Sequence, residues 1–161
     1  MIVLDVDGTM TDGGIAYTAS GEEIKTFNVK DGFAITNWRR LGKKAVIITG
    51  RNSPIVQHRA TELGIDRYVQ GIKKKGEALR GLCEELGVSL ANVAVIGDDL
   101  NDLSMFHIAG RSFAPSDASP WVLKYVDHVL QRAGGGGAVA EMVEMLVEEM
   151  GIKEAYLEPW V

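Results

Sequence analysis

Three aspartates, Asp5, Asp7 and Asp98, stand just after short apolar runs of the sequence. Asp5 and Asp7 are two positions apart, so one extended step sends both side chains to the same side. Clustered carboxylates repel one another, and a hard divalent cation that prefers oxygen ligands relieves that repulsion. The pattern therefore predicts a metal site, with Mg²⁺ as the usual ion where phosphate is also bound.

Other groups near these aspartates suit a bound phosphoryl group. Thr49 supplies a hydroxyl donor and is followed by Gly50, Lys75 supplies a positive charge, and the turn at Gly8 and Thr9 offers backbone N–H groups. Phosphoryl transfer depends mainly on positioning and on charge stabilisation, and a carboxylate can act as its nucleophile. Together these groups predict a site for phosphoryl transfer through an aspartyl-phosphate.

The strands that must position these residues are predicted from hydrophobic patterning. Continuous β-branched runs are typical of buried parallel strands. Four such runs occur, at 2–4, 45–48, 93–96 and, more weakly, 128–130, and 68–69 and 112–114 are lesser candidates. Because ligands bind at the carboxyl ends of the strands in an open α/β sheet, the acidic and basic groups should converge at that edge.

Helical patterns fill the gaps between these runs, at about 31–41, 54–63, 76–86 and 139–150. Ser53 is expected to cap the second helix, and Pro54 to occupy its first position. The alternation predicts an α/β fold, a Rossmann-like parallel sheet with helices on both faces. A β-hairpin at about 14–29 is expected to interrupt the first strand-to-helix connection, and the glycines at 134–137 to form a flexible hinge.

Length and composition bound the class of protein. The 161 residues are expected to form one domain, 1–161, and the net charge of −5 argues against nucleic acid as a partner. No apolar run approaches the roughly 20 residues of a membrane span. The opening MIVLDVDGT lacks the features of a signal peptide, so a cytoplasmic protein is expected. A single cysteine, Cys83, excludes an internal disulfide framework and a Cys-rich zinc site.

These residues resemble the four motifs of the haloacid dehalogenase-like phosphatases, and the resemblance spans nearly the whole chain. In chain order the matching segments are Asp5-Val6-Asp7-Gly8-Thr9, Thr49, Lys75 and Gly97-Asp98-Asp99-x-x-Asp102. The short hairpin in place of a large cap domain resembles the minimally capped members.

The resemblance implies a role for each motif residue. Asp5 would be the nucleophile and a Mg²⁺ ligand, and Asp98 a further ligand. Asp7 would bind Mg²⁺ through its backbone carbonyl, while its carboxyl group protonates the leaving oxygen and later takes a proton from water. Thr49 and Lys75 would hold the phosphoryl oxygens. Asp99 and Asp102 would support the metal site.

Further segments resemble one family in particular, the 3-deoxy-D-manno-octulosonate 8-phosphate phosphatases of lipopolysaccharide sugar synthesis. They are Thr11-Asp12-Gly13-Gly14, Lys30-Asp31-Gly32, Gln70-Gly71, Gly97–Asp102, and Arg132 with its glycine run. Thr9 and Met10 depart from that family, which usually has Val and then Leu or Trp. Close relatives act on the 9-phosphates of nine-carbon 2-keto sugar acids, and this substrate class stays open as an alternative.

A 2-keto sugar acid carries a carboxylate that a basic side chain should hold. Lys30, Arg51, Arg59 and Arg132 are the candidates, together with Gly8, Thr9 and Gly50 for the phosphate. The resemblance also implies a homotetramer in which paired hairpins and the tail segment 132–137 cover the sites. Two alternatives of another class are a phospho-receiver module, whose motif order differs, and a catalytically silent oligomerisation module.

Overall fold

A six-stranded, fully parallel sheet forms the centre of the computed structural model, which describes residues 1–161. Its strand order is β5-β4-β1-β6-β7-β8. Strand β1 lies between β4 and β6, because its backbone pairs with both. The six strands are β1 (Ile2–Leu4), β4 (Ala45–Ile48), β5 (Arg67–Val69), β6 (Ala94–Ile96), β7 (Arg111–Ala114) and β8 (His128–Val129). Each predicted run is thus a strand, and the predicted parallel sheet is confirmed.

Six α-helices connect and flank these strands. They are α1 (Val29–Arg40), α2 (Pro54–Glu62), α3 (Lys75–Leu86), α4 (Leu103–Phe106), α5 (Ala138–Glu149) and α6 (Lys153–Leu157). Helices α4 and α6 were not predicted, because four or five residues are too few to show helical periodicity. None of the helices is long and apolar enough to cross a membrane.

Alternate residues of the central strands pack into two separate cores. In β1, for example, Ile2 and Leu4 join the buried residues of α1, α2 and α5, whereas Val3 joins those of α3 and α4. This division follows from the two-residue period of a strand. It confirms that helices cover both faces of the sheet, and that both faces are apolar.

The predicted hairpin is present between β1 and α1. Strands β2 (Ala16–Tyr17) and β3 (Glu23–Ile24) pair antiparallel and form a separate two-stranded sheet. Its apolar side chains are exposed in the single chain: the exposed fractions are 46% for Ile15, 59% for Tyr17 and 49% for Ile24. The hairpin therefore carries apolar side chains that the chain itself leaves uncovered.

Two local predictions need correction. Ser53 does precede Pro54 at the start of α2, but its side chain makes no capping bond. Instead the Ser53 hydroxyl donates to Glu23 Oε2 of the hairpin, at 2.7 Å. Helix α1 begins at Val29 and not at the predicted residue 31. It is capped by Asn28, whose side chain accepts the N–H of Lys30. Capping partners depend on neighbouring elements that a local pattern does not reveal.

The glycine segment 134–137 is packed against the loop that follows β1, and no hinge is evident. The N–H of Gly135 donates to the carbonyl of Thr9 at 3.0 Å. A Cβ atom on Gly134 would lie 2.0 Å from the Gly8 carbonyl oxygen, and one on Gly135 would lie 2.6 Å from the nitrogen of Asp12. Glycine is needed here because two backbone segments touch.

Candidate active site

A small polar cavity of about 200 Å³ lies where β1, β4 and β6 end. No hydrophobic residue lines it; the lining consists of Asp5, Asp7, Thr49, Gly50, Arg51, Asp98, Asp99 and Asn101. The sheet brings these residues together because three neighbouring parallel strands end at the same edge. All the predicted aspartates except Asp102, together with Thr49, Gly50 and Arg51, therefore meet at one cavity.

Lys75 and Asp102 are buried beside Asp5. The Lys75 ammonium donates to Asp5 Oδ1 at 2.5 Å and to Asp102 Oδ1 at 2.6 Å, and its side chain is fully buried. Burial alone would lower the pKa of Lys75, but the adjacent carboxylates of Asp5 and Asp102 outweigh that effect and raise it. Lys75 therefore remains charged and fixes one oxygen of Asp5.

Asp102 holds the loop that carries Asp98. Its Oδ2 accepts the backbone N–H groups of Asp98 at 3.0 Å and Asp99 at 3.2 Å, while its Oδ1 faces Lys75. Asp99 is exposed, and its carboxylate accepts the N–H of Leu100. The two predicted supporting aspartates thus differ: Asp102 is a buried anchor, and Asp99 is a cap at the rim.

Carboxylate oxygens of Asp5, Asp98 and Asp102 lie within 4.8 Å of one another. Burial, followed by the charge of Asp102, raises the pKa of Asp5 well above its usual value and that of Asp98 to about 6. A bound cation relieves such crowding of negative charge. Because Asp102 is engaged by Lys75 and two N–H groups, Asp5 and Asp98 are the side chains able to hold a metal.

The backbone carbonyl of Asp7 is the third predicted oxygen ligand. Its carbonyl accepts no hydrogen bond within the chain. Two carboxylates and a carbonyl are the hard oxygen ligands that Mg²⁺ takes in proteins, with water and a substrate phosphate in the other positions. The residues present therefore fit the predicted ion.

Donors for a phosphoryl group are also present, but not all of the predicted ones. The N–H groups of Asp7 and Gly50 have no partner within the chain. The N–H groups of Gly8 and Thr9, predicted to be free, are already bonded to the Thr11 hydroxyl and the Val6 carbonyl. The phosphate-binding backbone is therefore expected to be that of Asp7 and Gly50.

Gly8 and Thr9 lie beside Asp98 instead. Thr9 is fully buried, and its hydroxyl donates to Asp98 Oδ1 at 3.4 Å. Gly8 has a φ of +90°, and a Cβ atom there would lie 2.1 Å from Asp98 Oδ2. Both residues thus contact Asp98, and neither lines the cavity.

The hairpin contributes charged residues that the sequence analysis missed. Lys25 pairs with the carboxylate of Asp7, and Glu23 accepts from Arg51 at 2.6 Å and from Ser53. The hydrogen bond from Ser53, followed by the charges of Lys25 and Arg51, lowers the pKa of Glu23 despite partial burial. The signal in the sequence is the two-residue spacing of Glu23 and Lys25, which puts them on one face of a strand.

Three predicted basic residues lie outside this cavity. Lys30 is exposed, and Arg59 binds Glu62 at 2.8 Å on α2 and stacks over Phe27. Arg132 lies 3.8 Å from a carboxylate oxygen of Glu144. Their contact with substrate stays a prediction.

The fold and the site together define a haloacid dehalogenase-like hydrolase. A family profile with that description matches residues 69–143. The chain is 41% identical to the 3-deoxy-D-manno-octulosonate 8-phosphate phosphatase of Haemophilus influenzae over 150 residues, 93% of this chain and 83% of the relative. Its Escherichia coli K12 counterpart is 40% identical over 151 residues, 94% of this chain and 80% of the relative.

Solved structures agree with this similarity. A phosphatase of the same name from Moraxella catarrhalis, in complex with magnesium, phosphate and KDO, superposes with a TM-score of 0.96 at 36% identity, covering 99% of this chain and 92% of that one. The cobalt-bound structure of the Haemophilus influenzae enzyme superposes with a TM-score of 0.90 at 41% identity. The match covers 93% of this chain and 88% of that one. The chain belongs to the 3-deoxy-D-manno-octulosonate 8-phosphate phosphatase family. The prediction of a phosphatase is confirmed, and the receiver and silent-module alternatives are not supported.

Proposed function

We propose that this chain hydrolyses 3-deoxy-D-manno-octulosonate 8-phosphate in lipopolysaccharide sugar synthesis, with Mg²⁺ as cofactor and Asp5 as nucleophile. The observation that carries the proposal is the placement of Asp5, whose Oδ1 is fixed by buried Lys75 while the residue lines the polar cavity. The names of the relatives support the sugar acid, and the bound magnesium, phosphate and KDO of the Moraxella structure support the ligand set.

In the first step, Oδ2 of Asp5 attacks phosphorus and the bond from phosphorus to the sugar oxygen breaks. The Asp7 carboxyl group gives its proton to that oxygen, so the sugar acid leaves as an alcohol. The hydroxyl of Thr49, the free N–H groups of Asp7 and Gly50, and the charge of Lys75 stabilise the phosphoryl oxygens. Asp5, Asp98 and the Asp7 carbonyl would hold Mg²⁺, which would supply further positive charge at those oxygens when bound.

In the second step, water attacks the aspartyl-phosphate and the Asp7 carboxylate takes its proton. The bond from phosphorus to Asp5 breaks, which releases inorganic phosphate and restores both carboxyl groups. The residues are unchanged after one cycle, and the overall reaction consumes one water molecule.

The test is the Asp5→Asn variant, assayed for phosphate release from 3-deoxy-D-manno-octulosonate 8-phosphate with saturating Mg²⁺. We expect no measurable turnover, because an amide is a poor nucleophile. Asp66→Asn is the matched control, since Asp66 bonds the backbone N–H of Ala45 where β4 begins, at the far end of the sheet. Near-native turnover of the Asp5 variant would refute the mechanism.

The identity of the sugar is tested by comparing substrates. Purified protein is given the eight-carbon 8-phosphate and nine-carbon 2-keto sugar acid 9-phosphates side by side. We expect the highest kcat/KM for the eight-carbon substrate. A higher value for a nine-carbon 9-phosphate would assign the chain to that alternative and leave the chemistry at Asp5 intact.

We also propose a homotetramer located in the cytoplasm, with the hairpins paired between subunits. The exposed Ile15, Tyr17 and Ile24 support the assembly, since proteins usually cover such strands. Light scattering at micromolar concentration should give four times the 17.4 kDa chain mass, and Ile15→Asp should lower that mass. Val129→Asp, which alters an equally exposed valine on edge strand β8, is the control, and a stable wild-type monomer would overturn the proposal.

A further inference from the structure

Lys25 is a buried lysine of the hairpin that the mechanism above does not use. Its side chain is 1% exposed and lies between the carboxylates of Asp7 and Glu23, with Glu23 Oε1 at 3.3 Å. Lysine is seldom buried unless it is paired. The two carboxylates are thus the reason that Lys25 can occupy this position.

The contact matters to Asp7 because Lys25 is the one group of the chain that donates a hydrogen bond to its carboxylate. The Asp7 side chain remains 19% exposed and lines the polar cavity, whereas Lys25 does not line it. Lys25 instead lines a neighbouring cavity of about 390 Å³ between the hairpin and α2. Lys25 therefore contacts Asp7 without itself lining the phosphoryl pocket.

Glu23 fixes Lys25 in this position. The same carboxylate accepts from the Ser53 hydroxyl at 2.7 Å and from Arg51 at 2.6 Å, both in the loop after β4. A chain of ion pairs and hydrogen bonds thus runs from the start of α2 through Glu23 to Lys25 and Asp7. It ties the hairpin to two of the loops that form the cavity.

We propose that Lys25 is a positioning residue, which holds the Asp7 carboxyl group in the orientation for proton transfer with the leaving sugar oxygen. The inference rests on the proposed function, because it assigns Asp7 the role of acid and base. The hairpin then has a catalytic task within its own subunit, besides any contact with a neighbouring one. Because the hairpin lies on the connection between β1 and α1, Lys25 is within reach of Asp7.

Two substrates separate this role from a general structural one. An alkyl phosphate such as the sugar-acid substrate has a poor leaving group that needs a proton, whereas 4-nitrophenyl phosphate leaves without one. Loss of a proton donor costs about 10² to 10⁴ in rate where the proton is needed. A misplaced Asp7 should therefore slow the alkyl phosphate and largely spare the aryl phosphate.

The experiment measures kcat and KM of Lys25→Met, Lys25→Arg and the control Lys153→Met on both substrates. Lys153 is exposed and pairs with Glu148 away from the site. We expect Lys25→Met to lower kcat on the sugar-acid phosphate by at least about tenfold, with little change in KM, and to lower kcat on the aryl phosphate by less than about threefold. Lys25→Arg should recover part of the loss, because it restores a positive donor.

A double variant tests whether Lys25 acts through Asp7. In an Asp7→Asn background, Lys25→Met should cause no further loss, since residues that act as a unit are not additive. An equal loss on both substrates, or a full further loss in that background, would mean that Lys25 contacts the phosphoryl group or only supports the fold, and would overturn the proposal. Thermal melting curves, together with the partial recovery expected for Lys25→Arg, guard against misfolding of Lys25→Met.

The same data distinguish two kinds of failure. If Asp7→Asn alone leaves turnover of the sugar-acid phosphate unchanged, the proposed function of Asp7 is wrong. If Asp7→Asn slows turnover but Lys25→Met does not, only the positioning role of Lys25 is wrong.

Discussion

Asp31 is a buried carboxyl group whose ionisation should oppose folding. Its side chain is 2% exposed, Oδ1 accepts the N–H of Ala140 at 2.8 Å in the first turn of α5, and Oδ2 is buried without a partner. Burial raises the pKa of Asp31 from 3.8 to about 6, although the Ala140 N–H and the charges of Arg132 and Arg59 act in the other direction. The cost of desolvation therefore exceeds these attractions.

The sign of the pH dependence follows from this raised pKa. The folded chain binds the proton more tightly than the unfolded chain, so stability from this group is lost as the pH rises from about 4 to about 6. At about 1.4 kcal/mol for each pH unit, the loss is about 3 kcal/mol. Above that range the contribution of Asp31 stays constant, since the group is then ionised in both states.

The perturbation is Asp31→Asn, which keeps an oxygen for the Ala140 N–H and removes the charge. Relative to wild type, the free energy of unfolding of the variant should rise by up to about 3 kcal/mol between pH 4 and pH 7.5. Urea denaturation at one protein concentration measures it at each pH. Other titrating groups cancel in the difference between the two proteins.

Asp66→Asn is the control with the opposite sign. The Ala45 N–H and Arg39 lower the pKa of Asp66 although partial burial works against them, so its ionised form stabilises the fold. Removing that carboxylate should make the variant less stable, relative to wild type, as the pH rises through the range near 4. The reasoning would be refuted if the free energy of unfolding of Asp31→Asn, relative to wild type, did not change with pH. A change in the direction expected for Asp66→Asn would refute it as well.

Three further predictions concern the site and its supports. Asp102→Asn should lower the free energy of unfolding by about 1 to 3 kcal/mol in urea denaturation, because buried Lys75 loses one of its two charged partners and keeps Asp5; an unchanged or higher stability would contradict this. Gly134→Ala should cost about 1 to 3 kcal/mol, because its Cβ would meet the Gly8 carbonyl, whereas Gly81→Ala, in an open part of α3, should stabilise by about 0.5 to 1 kcal/mol. Chelation should abolish turnover and added Mg²⁺ restore it; full activity in chelator would exclude the metal.

The sequence alone determined the order of the elements and the group of residues at the strand ends. Strands and helices were predictable because hydrophobic periodicity is a local property, repeated within a few residues. Asp5, Thr49 and Asp98 could be placed together for a simple reason. Each follows a predicted strand, and parallel strands end at a common edge.

Only the tertiary structure decided which of these groups are partners. Lys75 is 70 positions from Asp5, and Lys25 is 18 positions from Asp7, so no periodicity relates them. The hydrogen bond from the Gly8 N–H to the Thr11 hydroxyl likewise depends on how one loop folds back on itself. Packing of the glycine segment against another loop is a long-range contact of the same kind.

The same limit explains the remaining differences between prediction and structure. Ser53 occupies a capping position, but the hairpin brings Glu23 to its hydroxyl, which donates to that carboxylate and accepts no N–H of the helix. Local sequence determines which residues are able to cap, bind or pair. Which partner each one takes is decided by the elements that the fold brings beside it, because hydrogen bonds and ion pairs act over a few ångströms in space and not along the chain.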